Sequence, residues 1–155
     1  MKIVVVSDSH GRIEVLQQIL DENRDAACFI HCGDIELPND YFTEYMKVRG
    51  NNDYYGGLEE ERVIRVGDLK VLVTHSHQYV YYSRLEQLSK KADRLGCKLV
   101  CFGHTHVYHD SVEEGVHLVN PGSCWHNRDG RNPSYAVVHY NDGKIEVERR
   151  EIYCL

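Results

Sequence analysis

The chain has 155 residues and a formal net charge of −6, with acidic and basic side chains interspersed. This length corresponds to about one domain, so we expect a single domain over residues 1–155 without a cap domain. The sequence shows no basic stripe, no membrane-length apolar stretch and no signal-peptide pattern, which argues against extended nucleic-acid or membrane binding. We therefore expect a cytoplasmic protein, and the sequence leaves a homo-oligomer open.

The first half of the chain alternates strand and helix patterns. Lys2–Val6 predicts a strand, and residues 12–23 place Ile13, Leu16 and Leu20 on one helical stripe. Further apolar runs at 27–30, 46–48, 70–73 and 98–102 predict strands. Gly67 and Asp68 are typical of a two-residue hairpin between 62–66 and 69–73.

The second half predicts one more helix and a strand-rich end. We expect Ser83 to cap the helix through its hydroxyl, with Glu86 three residues on, and Gly96 to end it. Alternating segments at 108–112, 117–119, 134–140 and 144–152 then predict strands. Nine or ten strands are too many for one twisted sheet in so short a chain. The predicted fold class is α/β, a four-layer α/β/β/α sandwich of two stacked mixed β-sheets flanked by helices.

Six cysteines could suggest disulfides, but that interpretation needs a secreted chain. None of their spacings matches a zinc or dithiol motif, so we expect buried free thiols at Cys28, Cys32, Cys97, Cys101, Cys124 and Cys154.

Polar fragments follow five of the predicted strands, each at the point where the strand ends. The carboxyl ends of strands in an open α/β sheet share one edge, where ligands bind. These fragments therefore predict one metal site. Its expected ligands are Asp8, His10, Asp34, Asn51, His75, His104 and His106.

Seven ligands are too many for one tetrahedral zinc, whereas two metals sharing a carboxylate would use them all. Asp34 is the expected bridge because Gly33 lets the backbone approach closely. Nitrogen and oxygen donors suit Mn, Fe, Co, Ni or Zn more than Mg or Ca; we favour Mn or Ni. Two such ions with a bridging hydroxide would keep a small positive charge and suit in-line attack on phosphorus.

The motifs DSH, GD, GNND, His75 and GHTH, in that order, resemble the signature of the calcineurin-like metallophosphoesterases. Together with Asn120-Pro-Gly-Ser123, the short chain is similar to the small bacterial and archaeal phosphodiesterase branch. The resemblance implies a small phosphoester substrate and a dinuclear phosphodiesterase. It also implies one metal on Asp8, His10, Asp34 and His106, and another on Asp34, Asn51, His75 and His104.

The chain departs from the family pattern at one catalytic position. Many members carry a histidine after the GN motif that protonates the leaving group, and here that residue is Asn52, which cannot act as a general acid near neutral pH. Asp53 would orient an imidazole at that position, and His77 is the nearest substitute by sequence. Arg128 and Arg131 are candidates to clamp phosphate, with solvated loop charges as the alternative.

Two functions remain open at this point. The first is a metal-dependent phosphoesterase, and the lack of room for a cap domain favours a phosphodiesterase. The second is a non-catalytic metal-binding scaffold of the same fold, as the related retromer subunit is taken to be. The complete ligand set favours the enzyme, because a scaffold would be expected to have lost a ligand histidine.

Overall fold

The computed structural model of the protein describes residues 1–153, so the expectation for Cys154 lies outside the described residues. The described chain forms ten strands, two α-helices and one short 3-10 helix at Tyr81–Ser83. The α-helices are α1 Ile13–Glu22 and α2 Arg84–Leu95. The strands are β1 Lys2–Val6, β2 Cys28–His31, β3 Tyr45–Lys47, β4 Glu61–Val66, β5 Leu69–Thr74, β6 Leu99–Phe102, β7 Tyr108–Glu113, β8 Val116–Pro121, β9 Ser134–Asn141 and β10 Lys144–Glu151.

The strands form two five-stranded mixed sheets, ordered β10-β9-β1-β2-β3 and β4-β5-β6-β8-β7. In the first sheet β1, β2 and β3 run parallel, with Val5 opposite Ile30 and Ile30 opposite Met46. In the second sheet β5, β6 and β8 run parallel, and the predicted hairpin joins β4 to β5. The parallel strands of each sheet therefore end on one side.

Three apolar layers hold the sandwich together. The central layer lies between the sheets and includes Val5, Ile30, Val71 and Cys101. Helix α1 packs on the outer face of the first sheet and α2 on that of the second. Burial on both faces explains why β1 is a continuous apolar run instead of an alternating one. The predicted four-layer sandwich is confirmed.

Some local predictions are wrong. Ser83 makes no side-chain capping hydrogen bond; its hydroxyl accepts one from Gln87, while Glu86 pairs with Lys90. Ile13 is 43% exposed, and the buried stripe of α1 consists of Val15, Leu16, Ile19 and Leu20. Gly96 does end α2 in the left-handed conformation, as predicted.

The cysteines lie mainly in the core. Cys28, Cys32, Cys97 and Cys101 are free thiols, and all but Cys28 of these four are buried, as is Cys124. Burial raises the pKa of Cys101 well above its usual range, so this thiol stays protonated and inert. Among residues 1–153, neither helix is long and apolar enough to cross a membrane.

Candidate metal centre

The loops that follow β1, β2, β3, β5 and β6 bring the expected ligands together from both sheets. A first group contains Asp8, His10 and His106, whose ligand atoms lie within 4.8 Å of one another. His106 Nε2 is 3.3 Å from Asp8 Oδ1 and 3.3 Å from His10 Nε2. These atoms come from residues nearly a hundred positions apart, so the two sheets jointly build the group.

A second group contains Asp8, Asp34 and His75, again with ligand atoms within 4.8 Å. His75 Nε2 lies 3.3 Å from Asp34 Oδ2 and 3.0 Å from Asn51 Oδ1. The same amide oxygen is 3.2 Å from His104 Nδ1, which adds His104 to this side. The two groups divide the seven residues as the family resemblance implies, except that Asp8 is the carboxylate within reach of both.

Asp8 carries an unpaired oxygen at the centre of the site. Its carboxylate is fully buried, and Oδ2 accepts hydrogen bonds from the Ser7 hydroxyl and the His104 amide. Oδ1 has no hydrogen-bond partner, although His75 Nε2 lies 3.8 Å away. A buried carboxylate oxygen without a partner is costly. A cation among these nitrogen and oxygen atoms would satisfy it, so the residues fit a metal centre.

Three of the histidines are anchored through Nδ1, which turns Nε2 toward the centre. His75 Nδ1 donates to the Cys32 carbonyl and His106 Nδ1 to the His126 carbonyl, both at 2.8 Å. His10 Nδ1 contacts the carboxylate of Glu36. Outer hydrogen bonds of this kind fix the tautomer and orientation of metal-ligating histidines. No motif in the sequence had indicated Glu36, because its partner is 26 positions away.

Burial and neighbouring groups shift the pKa values of the carboxylates and imidazoles in the site. Burial opposes ionisation of Asp8, but the nearby imidazoles of His106 and His75 hold its pKa below the usual value. Burial also opposes ionisation of Asp34, yet His75 and Asn52 hold its pKa well below the usual range. For His104, burial and the neighbouring His75 lower the pKa to about 4. The centre therefore presents anionic carboxylates and a neutral imidazole, the protonation states that metal ligands need.

The backbone is strained where the ligands project. Five of the seven expected ligands have positive φ, a conformation that costs a non-glycine residue about 1–3 kcal/mol. Strain of this kind persists only where the surrounding structure imposes it, and it is concentrated at functional sites. The five are Asp8, His10, Asp34, His104 and His106, with φ of 54°, 46°, 60°, 76° and 58°.

The glycines of the motifs are required because neighbouring side-chain atoms lie too close to leave space for a Cβ. A Cβ at Gly33 would lie 2.6 Å from His75 Nδ1, and one at Gly50 would lie 2.1 Å from Asp34 Oδ1. A Cβ at Gly103 would lie 2.1 Å from Ser7 Oγ and 2.9 Å from Asp8 Oδ2. Real Cβ atoms do not approach this closely, so each glycine clears space for a ligand or its hydrogen-bond partner.

Gly103→Ala is expected to displace Ser7 and Asp8, since its only defect is overlap and its φ suits alanine. We expect a loss of about 1–3 kcal/mol in the free energy of unfolding, typical of overpacking, together with weaker metal binding. Urea unfolding of the apoprotein and metal titration measure the two effects. Gly56→Ala is the matched control, because a Cβ there meets nothing within 4 Å. Equal behaviour of the two variants would contradict the packing argument.

Asp53 stabilises the loops of the site by hydrogen bonds with their backbone amides. It is buried, Oδ2 accepts from the backbone amides of Asp34 and Gly50, and Oδ1 accepts from that of Glu36. Asn52 instead contacts the expected bridge directly: its backbone amide is 2.8 Å from Asp34 Oδ1 and its side-chain amide 3.1 Å from Oδ2. The carboxylate of Asp53 is thus committed to the backbone, whereas we had expected it to orient an imidazole at position 52.

His31 supports the same loops, although it belongs to none of the motifs. It is fully buried; Nδ1 accepts from the Gly33 amide at 3.1 Å, and Nε2 lies 2.9 Å from the Ser9 hydroxyl. Both contacts suit the neutral ring with its proton on Nε2. Burial lowers the pKa of His31 to about 3.

This depressed pKa predicts acid sensitivity of the apoprotein. The unfolded chain takes up a proton near pH 6.5, whereas folded His31 does not until about pH 3, so stability is present above pH 6.5 and falls as the pH drops below it. We expect His31 to account for a loss of about 2 kcal/mol between pH 7 and pH 5. Urea unfolding of wild type and His31→Asn at both pH values measures this. Parallel pH dependence of the two proteins would contradict the assignment.

His77 and Trp125 lie beside the ligands. The His77 ring centroid is 5.5 Å from that of His75 and 6.2 Å from that of His104, although β5 ends at Thr74, because Ser76 turns the chain with a φ of 77°. Trp125 lies 5.2 Å from His10 by ring centroids and is 43% exposed. The sequence offered no signal for Trp125.

The two arginines expected to contact phosphate are placed differently. The backbone amide of Arg128 donates to the carbonyl of His106, and Arg128 shares a surface groove with His104. Arg131 lies over the ring of Tyr108 at 5.9 Å. Arg128 thus borders the centre, whereas the contact seen for Arg131 is with an aromatic ring.

The fold thus places two groups of metal-type ligands at the carboxyl ends of its strands. The sequence model of the calcineurin-like phosphoesterase superfamily domain matches residues 1–143. The chain belongs to this superfamily.

Two curated relatives are similar along most of their lengths. "Probable metallophosphoesterase YsnB" of Bacillus subtilis is 36% identical over 141 residues, covering 89% of this chain and 83% of the relative. "Phosphodiesterase MJ0936" of Methanocaldococcus jannaschii is 28% identical over 148 residues, covering 80% and 84%.

Solved structures share the fold. A predicted phosphoesterase from Streptococcus pneumoniae superposes with a TM-score of 0.90 at 29% identity, covering 98% of this chain and 92% of that one. Vps29 from Entamoeba histolytica, solved with Zn²⁺, has a TM-score of 0.73 at 23% identity and covers 97% and 98%. The second likeness concerns the fold alone.

Proposed function

We propose that the protein is a dinuclear metal-dependent phosphodiesterase. The observation that carries the proposal is the unpaired, fully buried Oδ1 of Asp8, which lies between two groups of nitrogen and oxygen ligands. Structural hydrogen bonding would have satisfied this atom, whereas a site built for cations leaves it open. The relative named a phosphodiesterase supports the reaction class.

The residues take the following roles. Asp8, His10 and His106 hold one ion, and Asn51, His75 and His104 hold the other. Asp34 is assigned as the shared ligand because the family resemblance implies it and because its carboxylate lies beside both Asp8 and His75. Bound divalent ions of this kind generate a nucleophile from water at neutral pH and stabilise the charge of an in-line displacement at phosphorus.

Neighbouring side chains would complete the substrate site. Asn52 keeps Asp34 in place, Asp53 holds the backbone of three loops, and Glu36 fixes the ring of His10. Nδ1 of His77 is buried without a hydrogen-bond partner, and we assign this residue to contact an ester oxygen. Arg128 is assigned to a substrate phosphate oxygen, and we retain Arg131 only as a weaker candidate because it lies over Tyr108.

A diester is favoured over a monoester for two reasons. The strands of residues 1–153 all belong to the two sheets and both α-helices pack against them, so no described cap encloses one substrate. His10 and His104 are partly exposed, which leaves room for two ester groups. The net charge of −6 further supports a small phosphoester over a polynucleotide.

The proposal predicts an order of substrates for the Mn- or Ni-loaded protein. Bis(p-nitrophenyl) phosphate should be hydrolysed faster than p-nitrophenyl phosphate, and dialkyl phosphates slowly, because Asn52 cannot protonate a poor leaving group. Steady-state rates on the three substrates, with a chelated sample as control, measure this. A faster monoester would overturn the diesterase assignment. Metal-loaded protein without turnover would favour the scaffold.

A further inference from the structure

A groove beside the metal centre has no role in the function described so far. It has a volume of about 780 Å³, within the ~300–1,000 Å³ range of ligand pockets. His104, an expected metal ligand, lines it together with Arg128 and the 3-10 helix Tyr81–Ser83. A phosphate held at the metals would therefore have its ester substituent next to this groove.

The groove offers aromatic surface to solvent. Tyr81 and Tyr82 are 84% and 87% exposed, although large rings usually bury most of their area. Leu85, Phe102 and Val107 add apolar lining. Exposed rings above an apolar floor suit a planar ring that stacks on them.

The charged residues of the groove are also compatible with a planar ring as the bound group. Arg84 is buried, and its Nε donates to the Ser76 carbonyl at 3.3 Å, while Arg128 lies beside the metal ligands. Glu113 and Glu86, which also pairs with Lys90, line the groove as well, so its lining carries carboxylates beside the arginines. A lining of mixed charge suits a neutral ring, with the anionic phosphate beside His104.

We propose that this groove binds the ring-bearing ester group of the substrate, a nucleoside or an aromatic alcohol of similar size, by stacking on Tyr81 and Tyr82. The inference rests on the proposed function, since the metals hold the phosphate. It makes these two tyrosines specificity-determining residues that act on binding and leave the metal ligands unchanged.

Calorimetric titration of the metal-loaded protein tests the groove without using turnover. The probes are thymidine 5′-monophosphate, whose integrity is checked afterwards by chromatography, and methyl phosphate, which has no ring. We expect the nucleotide to bind roughly 10-fold more tightly, as one stacked base contributes. The Tyr81→Ala, Tyr82→Ala double variant should lose this advantage and bind methyl phosphate as wild type does.

Tyr41→Ala is the control, because Tyr41 is also exposed but lies outside the groove lining. Equal affinities of the two probes in wild type would overturn the proposal. The proposal would also be overturned if the double variant bound both probes more weakly to the same extent, or bound both as wild type does. Turnover of bis(p-nitrophenyl) phosphate is measured separately. Activity without ring-dependent binding would contradict only the proposed role of the groove. Ring-dependent binding without activity would contradict only the proposed phosphodiesterase function.

Discussion

Asp34→Asn is expected to weaken metal binding at both sites and to abolish measurable phosphodiester hydrolysis. Asp34 Oδ2 lies 3.3 Å from His75 Nε2 and its carboxylate is grouped with that of Asp8, so a neutral amide removes the anionic ligand that we propose to be shared. The loss of activity should exceed the roughly 10–100-fold that follows loss of an outer hydrogen-bond partner. Metal content after equilibrium dialysis and rates on bis(p-nitrophenyl) phosphate measure the two effects.

Two matched variants locate the shared ligand. His104→Ala should empty mainly the site of Asn51 and His75, because the His104 imidazole lies against these two side chains. Asp8→Asn should empty mainly the site of His10 and His106 if Asp34 is the bridge. Loss of both ions in Asp8→Asn, with one retained in Asp34→Asn, would instead make Asp8 the bridge, as the short distances around its Oδ1 permit.

Asn52→His is expected to raise kcat for substrates with poor leaving groups. For substrates with good leaving groups, kcat should change little. A histidine there could donate a proton, which typically contributes ~10²–10⁴-fold. The backbone amide of residue 52 would still donate to Asp34 Oδ1, so the bridge should keep one of its two hydrogen bonds from this residue. The measurement is the dependence of kcat on leaving-group pKa over a series of aryl and alkyl diesters.

Asn52→Ala is the control for this substitution, because it removes the side-chain hydrogen bond to Asp34 without adding an acid. Asp53→Ala is unsuitable as a control, since it would release the backbone amides of Asp34, Glu36 and Gly50 together. An unchanged leaving-group dependence in Asn52→His, with both metals still bound, would show that position 52 does not face the leaving group.

The strand pattern was sufficient to predict the architecture. Continuous apolar runs such as β1 and β6 are buried on both faces, and a polar motif directly after such a run lies at the carboxyl edge of its sheet. The hairpin at Gly67 and Asp68 and the helix end at Gly96 depend only on local backbone conformation, so they too were predictable.

Contacts between distant side chains were not predictable in the same way. No sequence pattern indicated that Glu36 would contact His10, or that Asp53 would accept from three backbone amides, because each contact depends on how the loops lie in space. Ser83 failed as a cap because its hydroxyl accepts from Gln87 instead of a backbone amide. Local patterns thus predicted which side chains meet at the sheet edge, but not the hydrogen bonds that orient them.

The most direct measurement of the central claim is the number of transition-metal ions that the protein binds at saturation. Apoprotein would be dialysed against Mn²⁺ or Ni²⁺ and analysed for metal per chain, with Asp34→Asn alongside. The two ligand groups around Asp8 predict about two ions per wild-type chain and fewer in the variant. A single ion at saturation in the wild type would contradict the dinuclear centre.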